Sequence, residues 1–406
     1  MDKTLQLLAR YESRNVTYME DDGSWPIVWE RARGMHVWDT SGKRYLDLTA
    51  AFGVANAGHA NPCVLRAGRQ QMRRLLHAMG DVHPHPLKAR LVQRLSEITF
   101  ERWTQKAIEG RTILNNSGFE AVEAALKTAV LATGKSGVIT FTGGYHGLGY
   151  GALNATHRQY FRAPFKAQLR QFGTAVEWPG NDFSKIEKRI CKLAARKEFG
   201  AILVEPIQAR GGIRIPPPDF LKLLRQLCDR FGLLLILDEI YTGFGRTGAW
   251  FACEHEQVVP DLICLGKALS GGFPISACVG RAEIMDRAWP RSRGEALHTS
   301  TFLGHPVGCA MALAQIEEIS KLIEPARRKG EYLKNLYPEM RGFGLMAGIE
   351  VESGVIAVRA IKRLLHEGYI FLPEGDEGQI ISFTPPLIIT VAQMNQSIRA
   401  LQQALA

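Results

Sequence analysis

The sequence predicts an α/β protein organised on a doubly wound, mostly parallel sheet. Two observations carry this. From residue 111 onward short apolar runs recur, RTILN, GVITF, GAILVEP, LLLILD, DLICLG and ISACVG, most of them bounded by Gly, Pro or Asn. Helical patterns lie between several of them. Strands that are apolar throughout, rather than at alternate positions, need cover on both faces, and crossover helices give a parallel sheet that cover. A different texture flanks this region, with alternating apolar and polar residues before it and a shorter helix–strand pattern after Arg293. The expected division is a large domain over 50–295, a smaller α+β domain over 296–406, and an N-terminal segment, 1–49, that packs with the smaller one.

Taken in order, residues 1–20 read as a short amphipathic helix. IVWERARGMHVWDTSGKRYLDL, at 27–48, alternates in polarity around TSGK and predicts a β-hairpin. Helical patterns follow at 62–80 and 86–103, broken by HPHP. The six apolar runs come next as strands of the parallel sheet, with IPPPDF at 215–220 as a stop before a helix. The C-terminal part predicts a helix at 306–330, a strand at 344–351, a helix at 355–367, a strand at 379–383 and a helix at 391–405. There is no internal repeat, low-complexity tract or Pro/Gly/Ser-rich linker.

Composition excludes several classes. The chain has 406 residues and a net charge of +10, but Lys and Arg are scattered, and the densest run, RQQMRRLLHAM, is modest. A nucleic-acid binder concentrates its charge on one helix, face or tail. The excess here reads as solvated surface, with positive potential left for anionic ligands. Seven cysteines occur without any C-x-x-C pair, which points to free thiols in a reducing compartment. The N-terminus lacks a signal-peptide apolar region, and no apolar run is long enough to span a bilayer. A soluble cytoplasmic protein without a metal is expected.

The stretch from Phe231 to Gly280 carries the chemistry. LLLILD ends on Asp238, and DLICLG delivers Lys267 into a loop of small residues. Ligands of doubly wound sheets sit at the carboxyl ends of the strands, where both groups lie. A lysine amine that forms a Schiff base with an aldehyde, and an acid that keeps a ring nitrogen protonated, are what pyridoxal 5′-phosphate (PLP) chemistry requires. A lysine at the end of an apolar strand is desolvated, so its amine is more readily neutral. Ile240, two residues after Asp238, points the same way and can pack on the ring, whereas Glu239 points to the other side.

Other strand ends supply the remaining parts. In ILNNSGFEAVEAALK, Ser117 and Gly118 turn a strand into a helix whose first N–H groups can hold a phosphate. FTGGYHG presents Tyr145 as a stacking platform, with His146 beside it. VEPIQARGG places Glu205 and Gln208 at a strand end, where Gln208 can bond the cofactor's phenolic oxygen. HTSTFLGHP brings Ser300 and Thr301 to a helix start, where Thr301 can bond a phosphate. Each motif alone also fits a plain helix cap, glycine loop or strand exit. Together they leave those readings little room.

In order and spacing, NNSGFEAVEAALK, GGYHG, EPIQ, LDEIYTGFGRTG, LGKALSGGFP and STFLGHP resemble the class III (ornithine/ω-amino acid) aminotransferases, PLP enzymes of fold type I. The resemblance spans nearly the whole chain. It implies a large domain with a mostly parallel seven-stranded sheet flanked by helices, plus a smaller domain built from both termini. It implies Lys267 as the Schiff-base lysine, Asp238 on the pyridine nitrogen, Ile240 behind the ring and Tyr145 stacked on it. Gly118 and Phe119 match the backbone phosphate cradle. Thr301 matches a threonine that reaches the neighbouring subunit's cofactor, which implies a homodimer with shared active sites. Phe52 matches an aromatic at the substrate entrance.

Two departures bear on substrate. Relatives acting on ornithine-like substrates carry Q-G-E where this chain has Gln208-Ala209-Arg210, and an arginine in R-F-x-P-P-L where it has Ser382. A hydroxyl cannot replace a guanidinium that grips a carboxylate through two bonds. Either the amino donor lacks an α-carboxylate, or another cation holds it, with Arg210 and Arg162 as candidates. The leading expectation is a ping-pong transaminase moving an amino group from an amine or ω-amino donor to an oxo acid or aldehyde. The alternatives are an aminomutase, a racemase or epimerase, a decarboxylating transaminase, or an α-amino/ornithine-type enzyme with a different carboxylate-binding arginine. A non-enzymatic scaffold of the same fold is disfavoured by the intact Lys267, Asp238 and phosphate motifs.

Overall fold

The computed structural model describes residues 2–406. A seven-stranded sheet forms its centre, with strands β1 (Gly110–Asn115), β2 (Gly137–Phe141), β3 (Gly173–Val176), β4 (Phe199–Val204), β5 (Leu234–Asp238), β6 (Leu262–Leu265) and β7 (Ser276–Arg281). The spatial order is β1-β7-β6-β5-β4-β2-β3. Strand β7 runs antiparallel to both β1 and β6, so ISACVG is not one of the parallel strands. Burial on both faces makes its sequence look parallel, and direction leaves no mark on composition. Strand β3, GTAV, is half-buried at the sheet edge and lacks the long apolar run that marks the others.

Alternate residues of the central strands feed two cores. Ile202, Val204, Leu235, Leu237, Ile263 and Leu265 pack on one face, with Leu224 and Ile190 from helices Phe220–Phe231 and Ser184–Ala194. Ala201, Leu203, Leu234, Ile236, Leu262 and Cys264 pack on the other, against Ala121, Val122 and Ala125 of helix Gly118–Thr133. This double burial is why the runs are apolar at every position.

The flanking regions form two further four-stranded sheets. In the first, Trp29–Arg33, His36–Asp39 and Arg44–Asp47 make an antiparallel meander that Tyr369–Ile370 extends in parallel. The TSGK turn is present, but the hairpin carries a third strand. In the second, the order is Arg341–Phe343, Met346–Glu350, Ile380–Phe383 and Leu372–Glu374. Helices Gly354–His366 and Val391–Leu405 contribute to its core. The first helix is shorter than expected, Lys3–Tyr11. The helix expected at 306–330 is two, Pro306–Ser320 and Ile323–Leu336. None of the seven cysteines is paired, and no helix among the described residues is long and apolar enough to cross a membrane.

Candidate active site

Five carboxyl ends of parallel strands converge on one cavity of about 450 Å3. Its lining includes Gly118, Phe119, Tyr145, His146, Glu205, Arg210, Asp238, Ile240, Tyr241 and Lys267. A doubly wound sheet leaves such a crevice because its loops diverge above the strand ends.

Asp238 terminates β5 and is buried. Its Oδ2 lies 2.8 Å from His146 Nδ1, and Ile240 N donates to its Oδ1 at 3.2 Å. Burial works against a charged imidazole, but the bond to Asp238 and its charge outweigh this and hold His146 above its ordinary pKa. The pair orients the carboxylate toward the cavity. His146 is itself fixed by its N–H bond to Thr156 Oγ1, at 2.9 Å. Glu239 bonds Ala252 N and Cys253 N, both at 2.8 Å, away from the cavity, as strand alternation predicts.

Lys267 follows β6 with a φ of 42°. A side chain at positive φ is uncommon, and here the turn aims the amine inward instead of along the strand. Burial lowers its pKa, opposed by the charges of Asp238, Glu205 and Glu374. Its Nζ sits 4.5 Å from the centroid of the Tyr241 ring. The neutral amine is thus more accessible than on a surface lysine, which suits a nucleophile and a proton carrier.

The helix Gly118–Thr133 begins at the cavity. Glu120 Oε2 accepts from Ser117 N at 2.7 Å and Ser117 Oγ at 2.9 Å, which ties Ser117 to the helix. The N–H groups of Gly118 and Phe119 come in the first turn, where no preceding carbonyl takes them. A Cβ on Gly118 would lie 3.2 Å from Ile240, so the glycine keeps open the space between the helix start and the Ile240 side chain. An amine, a carboxylate held by an imidazole, an aromatic face, an aliphatic face and an open anion cradle fit PLP group for group.

Tyr145 N donates to Glu205 Oε2 at 3.1 Å, which fixes the platform residue to β4. Glu205 is fully enclosed, and burial raises its pKa to about 7, with Asp238 adding to the rise and His146 opposing it. Arg210 lies over the Tyr145 ring at 5.9 Å and 3.6 Å from Glu374 Oε2.

Several expected residues lie elsewhere. Gln208 does not line the cavity. Its Nε2 donates to Thr142 O at 2.9 Å and its Oε1 accepts from Arg214 at 3.3 Å, so its amide braces the loop that precedes Tyr145. Ser382 is buried in a strand, and its hydroxyl donates to Leu372 O at 3.0 Å. That bond ties it to the neighbouring strand of the same sheet. Arg162 lies on the short helix Gln159–Arg162, next to Phe161, and is not among the cavity residues. Phe52 is half-exposed on a turn outside the lining. Thr301 is exposed, and Ser300 Oγ accepts from Asn116 Nδ2 at 3.2 Å beside the helix start.

Two cavity neighbours escape the motif reading. Tyr241 sits in DEIYTG, where a polar, glycine-rich turn reads as connection, and an aromatic inside it is the one available signal. Glu374 is buried with no hydrogen bond to its Oε2 among the described residues, and burial raises its pKa to about 7. Nothing local in LPEGDEG marks it, because its partner Arg210 comes from a distant part of the chain.

The chain is similar to known aminotransferases along nearly its whole length. The family model described as aminotransferase class III matches residues 17–405. The acetylornithine aminotransferase of Methanopyrus kandleri is 36% identical over 397 residues, 96% of this chain and 96% of its own. That of Archaeoglobus fulgidus is 36% identical over 379 residues, 92% of this chain and 94% of its own. Among solved structures, the ornithine aminotransferase of Toxoplasma gondii has a TM-score of 0.87 at 29% identity, over 99% of this chain and 94% of its own. An amine transaminase from an uncultivated Pseudomonas species, in its PLP-bound form, has a TM-score of 0.86 at 26% identity over 98% of both chains. A transaminase from the marine bacterium Virgibacillus shares the fold, with a TM-score of 0.91 at 24% identity over 100% of this chain and 98% of its own. With the family match running almost end to end, the chain belongs to the class III aminotransferases, PLP-dependent enzymes of fold type I.

Proposed function

We propose that this aminotransferase takes its amino group from an amine or ω-amino donor and passes it to an oxo acid or aldehyde, by a ping-pong sequence. The observation that carries this is the cation pattern of the cavity. Position 382, where ornithine-type relatives place a carboxylate-gripping arginine, holds a serine whose hydroxyl is spent on Leu372 O. Arg210 is the one guanidinium among the lining residues, and Glu374 already engages it at 3.6 Å.

When bound, PLP supplies an electron sink for the charge that develops at the substrate's amine-bearing carbon. Lys267 Nζ would take the proton from that carbon. Asp238, oriented by His146, would hold a proton on the ring nitrogen. Tyr145 and Ile240 would shield the ring from water. The first-turn N–H groups of Gly118 and Phe119 would hold the phosphate. Arg210 receives a carboxylate of the oxo-acid acceptor, for which it must leave Glu374.

Homodimerisation belongs to the same proposal. Leu76, Met79, Val82, Leu297 and Phe302 expose between 55% and 78% of their surface. They sit on two segments joined by the His77–Phe302 ring contact at 5.4 Å and the Thr299–Asp81 bond at 2.6 Å. Exposed apolar side chains beside Ser300 and Thr301 would suit a partner subunit whose phosphate site Thr301 would complete.

A second reading is favoured by relatives named acetylornithine aminotransferases at 36% identity. In that reading the donor is of ornithine type and Arg210 holds its carboxylate. A donor screen on the holoenzyme separates the two, following the bleaching of the visible band of bound PLP and the release of a carbonyl product. Simple amines and ω-amino compounds should bleach it fastest. If ornithine or its N-acetyl derivative reacts far faster than any simple amine, the lead reading fails and the second replaces it.

A further inference from the structure

The proposed mechanism leaves the resting place of the Lys267 amine unassigned. Lys267 Nζ has no ion pair and no hydrogen bond among the described residues, although Asp238, Glu205 and Glu374 surround it at longer range and Arg210 opposes them. It lies over the face of Tyr241, with Nζ 4.5 Å from the ring centroid. A cation over an aromatic face is stabilised by the ring quadrupole, most strongly where water is excluded.

The ring is held for this from two sides. Its hydroxyl lies 3.2 Å from Thr384 Oγ1, a residue that follows the buried strand Ile380–Phe383. Its edge lies against the turn Ala50–Gly53, where all four residues have positive φ, and a Cβ on Gly53 would come within 3.1 Å of Tyr241 Cε1. That turn is fastened by Asp47, which accepts from Thr49 N at 2.8 Å and Ala51 N at 3.0 Å. The ring has little freedom to turn away. Tyr241 also belongs to the cavity lining, so the amine it faces is the one that meets the substrate.

We propose that Tyr241 is a positioning residue whose ring face holds the Lys267 ammonium whenever that group carries the transferred proton. The proposal rests on the reading of Lys267 as the proton carrier. The ring does not touch the reacting carbon. It sets where Nζ waits and how tightly it keeps its proton, while the surrounding carboxylates set the background field. Phenylalanine presents the same face, and leucine or methionine does not.

The test uses Y241F, Y241L and Y241M in the full-length chain. Its first readout is the pH midpoint for acylation of Lys267 after PLP is stripped, measured by competitive labelling and peptide mass spectrometry. Y241F should keep the wild-type midpoint. Y241L and Y241M should lower it by about one unit, a tenfold loss of proton affinity. The second readout is the single-turnover rate of the holoenzyme with a saturating amine donor. It should fall about tenfold in Y241L, with donor affinity within roughly threefold of wild type, and stay near wild type in Y241F. An unchanged midpoint in both Y241L and Y241M overturns the proposal. So does an equal shift in Y241F, which would assign the effect to the hydroxyl and Thr384. Failure of Lys267 itself is seen separately, as turnover surviving in K267A, and leaves the labelling result readable.

Discussion

His146 and Glu205 are shifted by the same buried site, the imidazole held above its ordinary pKa by its bond to Asp238 and the carboxyl raised by burial. Asp238 receives the imidazole at 2.8 Å and a backbone N–H at 3.2 Å, whereas Glu205 has only backbone donors and is pushed up to about 7. Replacing Asp238 with Asn removes the acceptor that keeps a ring nitrogen protonated, and transamination should fall by roughly a hundredfold or more with PLP still bound. Lys267→Ala should lower turnover by roughly a thousandfold or more, read as loss of carbonyl product with any amine donor. Glu374 offers a test of stability. Its folded pKa is raised from 4.5 to about 7, so between those values the folded state binds more protons than the unfolded one. The stability this group contributes is therefore present below pH 4.5 and is lost as pH rises toward 7. Glu374→Gln should raise the melting temperature at pH 8 relative to wild type and do so far less at pH 5. The gain is at most about 3 kcal/mol, less what the loss of the Arg210 contact costs.

At the scale of elements, the site depends on close approach of backbone to side chain at helix and strand ends. Gly118→Val would push a branched side chain toward Ile240, where a Cβ already lies at 3.2 Å. It should weaken PLP binding about tenfold or more in equilibrium dialysis while leaving the circular dichroism spectrum unchanged. The second sheet has a similar tight spot away from the chemistry. A Cβ on Gly330, in helix Ile323–Leu336, would lie 2.3 Å from Gly344 Cα and 2.5 Å from its carbonyl oxygen. Backbone cannot retreat as a side chain does, so Gly330→Ala should destabilise by about 2–3 kcal/mol, read in chemical denaturation. The motif text made Asp238, Lys267 and Gly118 legible because strand ends and helix starts are local events. It did not show the bonds of the Gln208 amide to Thr142 and Arg214, which depend on how the loop folds back on itself.

The whole molecule brings together segments that are far apart in the chain. Arg210 meets Glu374, Tyr241 meets Thr384, and Gly375 N donates to Arg210 O at 3.0 Å. The sheet of residues 341–383 and the residue after it thus brace two lining residues, Arg210 and Tyr241, from outside the cavity. The proposed dimer is tested at this scale. Leu76→Glu with Phe302→Glu places two charges in the exposed apolar patch. Sedimentation velocity should show self-association at least tenfold weaker than wild type, with PLP affinity falling as Thr301 of the partner is withdrawn. An unchanged sedimentation coefficient at the same concentration would place the subunit contact elsewhere.

What the sequence by itself determined was the sheet, the positions of Asp238, Lys267 and Gly118, and the family. Apolar runs, turn residues and helix starts are written in adjacent residues, and strand ends bring their side chains to the same edge. The direction of β7, the third strand of the N-terminal meander, and the surroundings of Tyr241 and Glu374 were decided by tertiary structure. Strand direction leaves no trace in composition, and a buried carboxylate finds its arginine only when distant segments meet. Substrate choice lies mostly in that second group. The serine at 382 is visible in the sequence, but only the fold shows its hydroxyl turned to Leu372 O and Arg210 left as the guanidinium of the cavity.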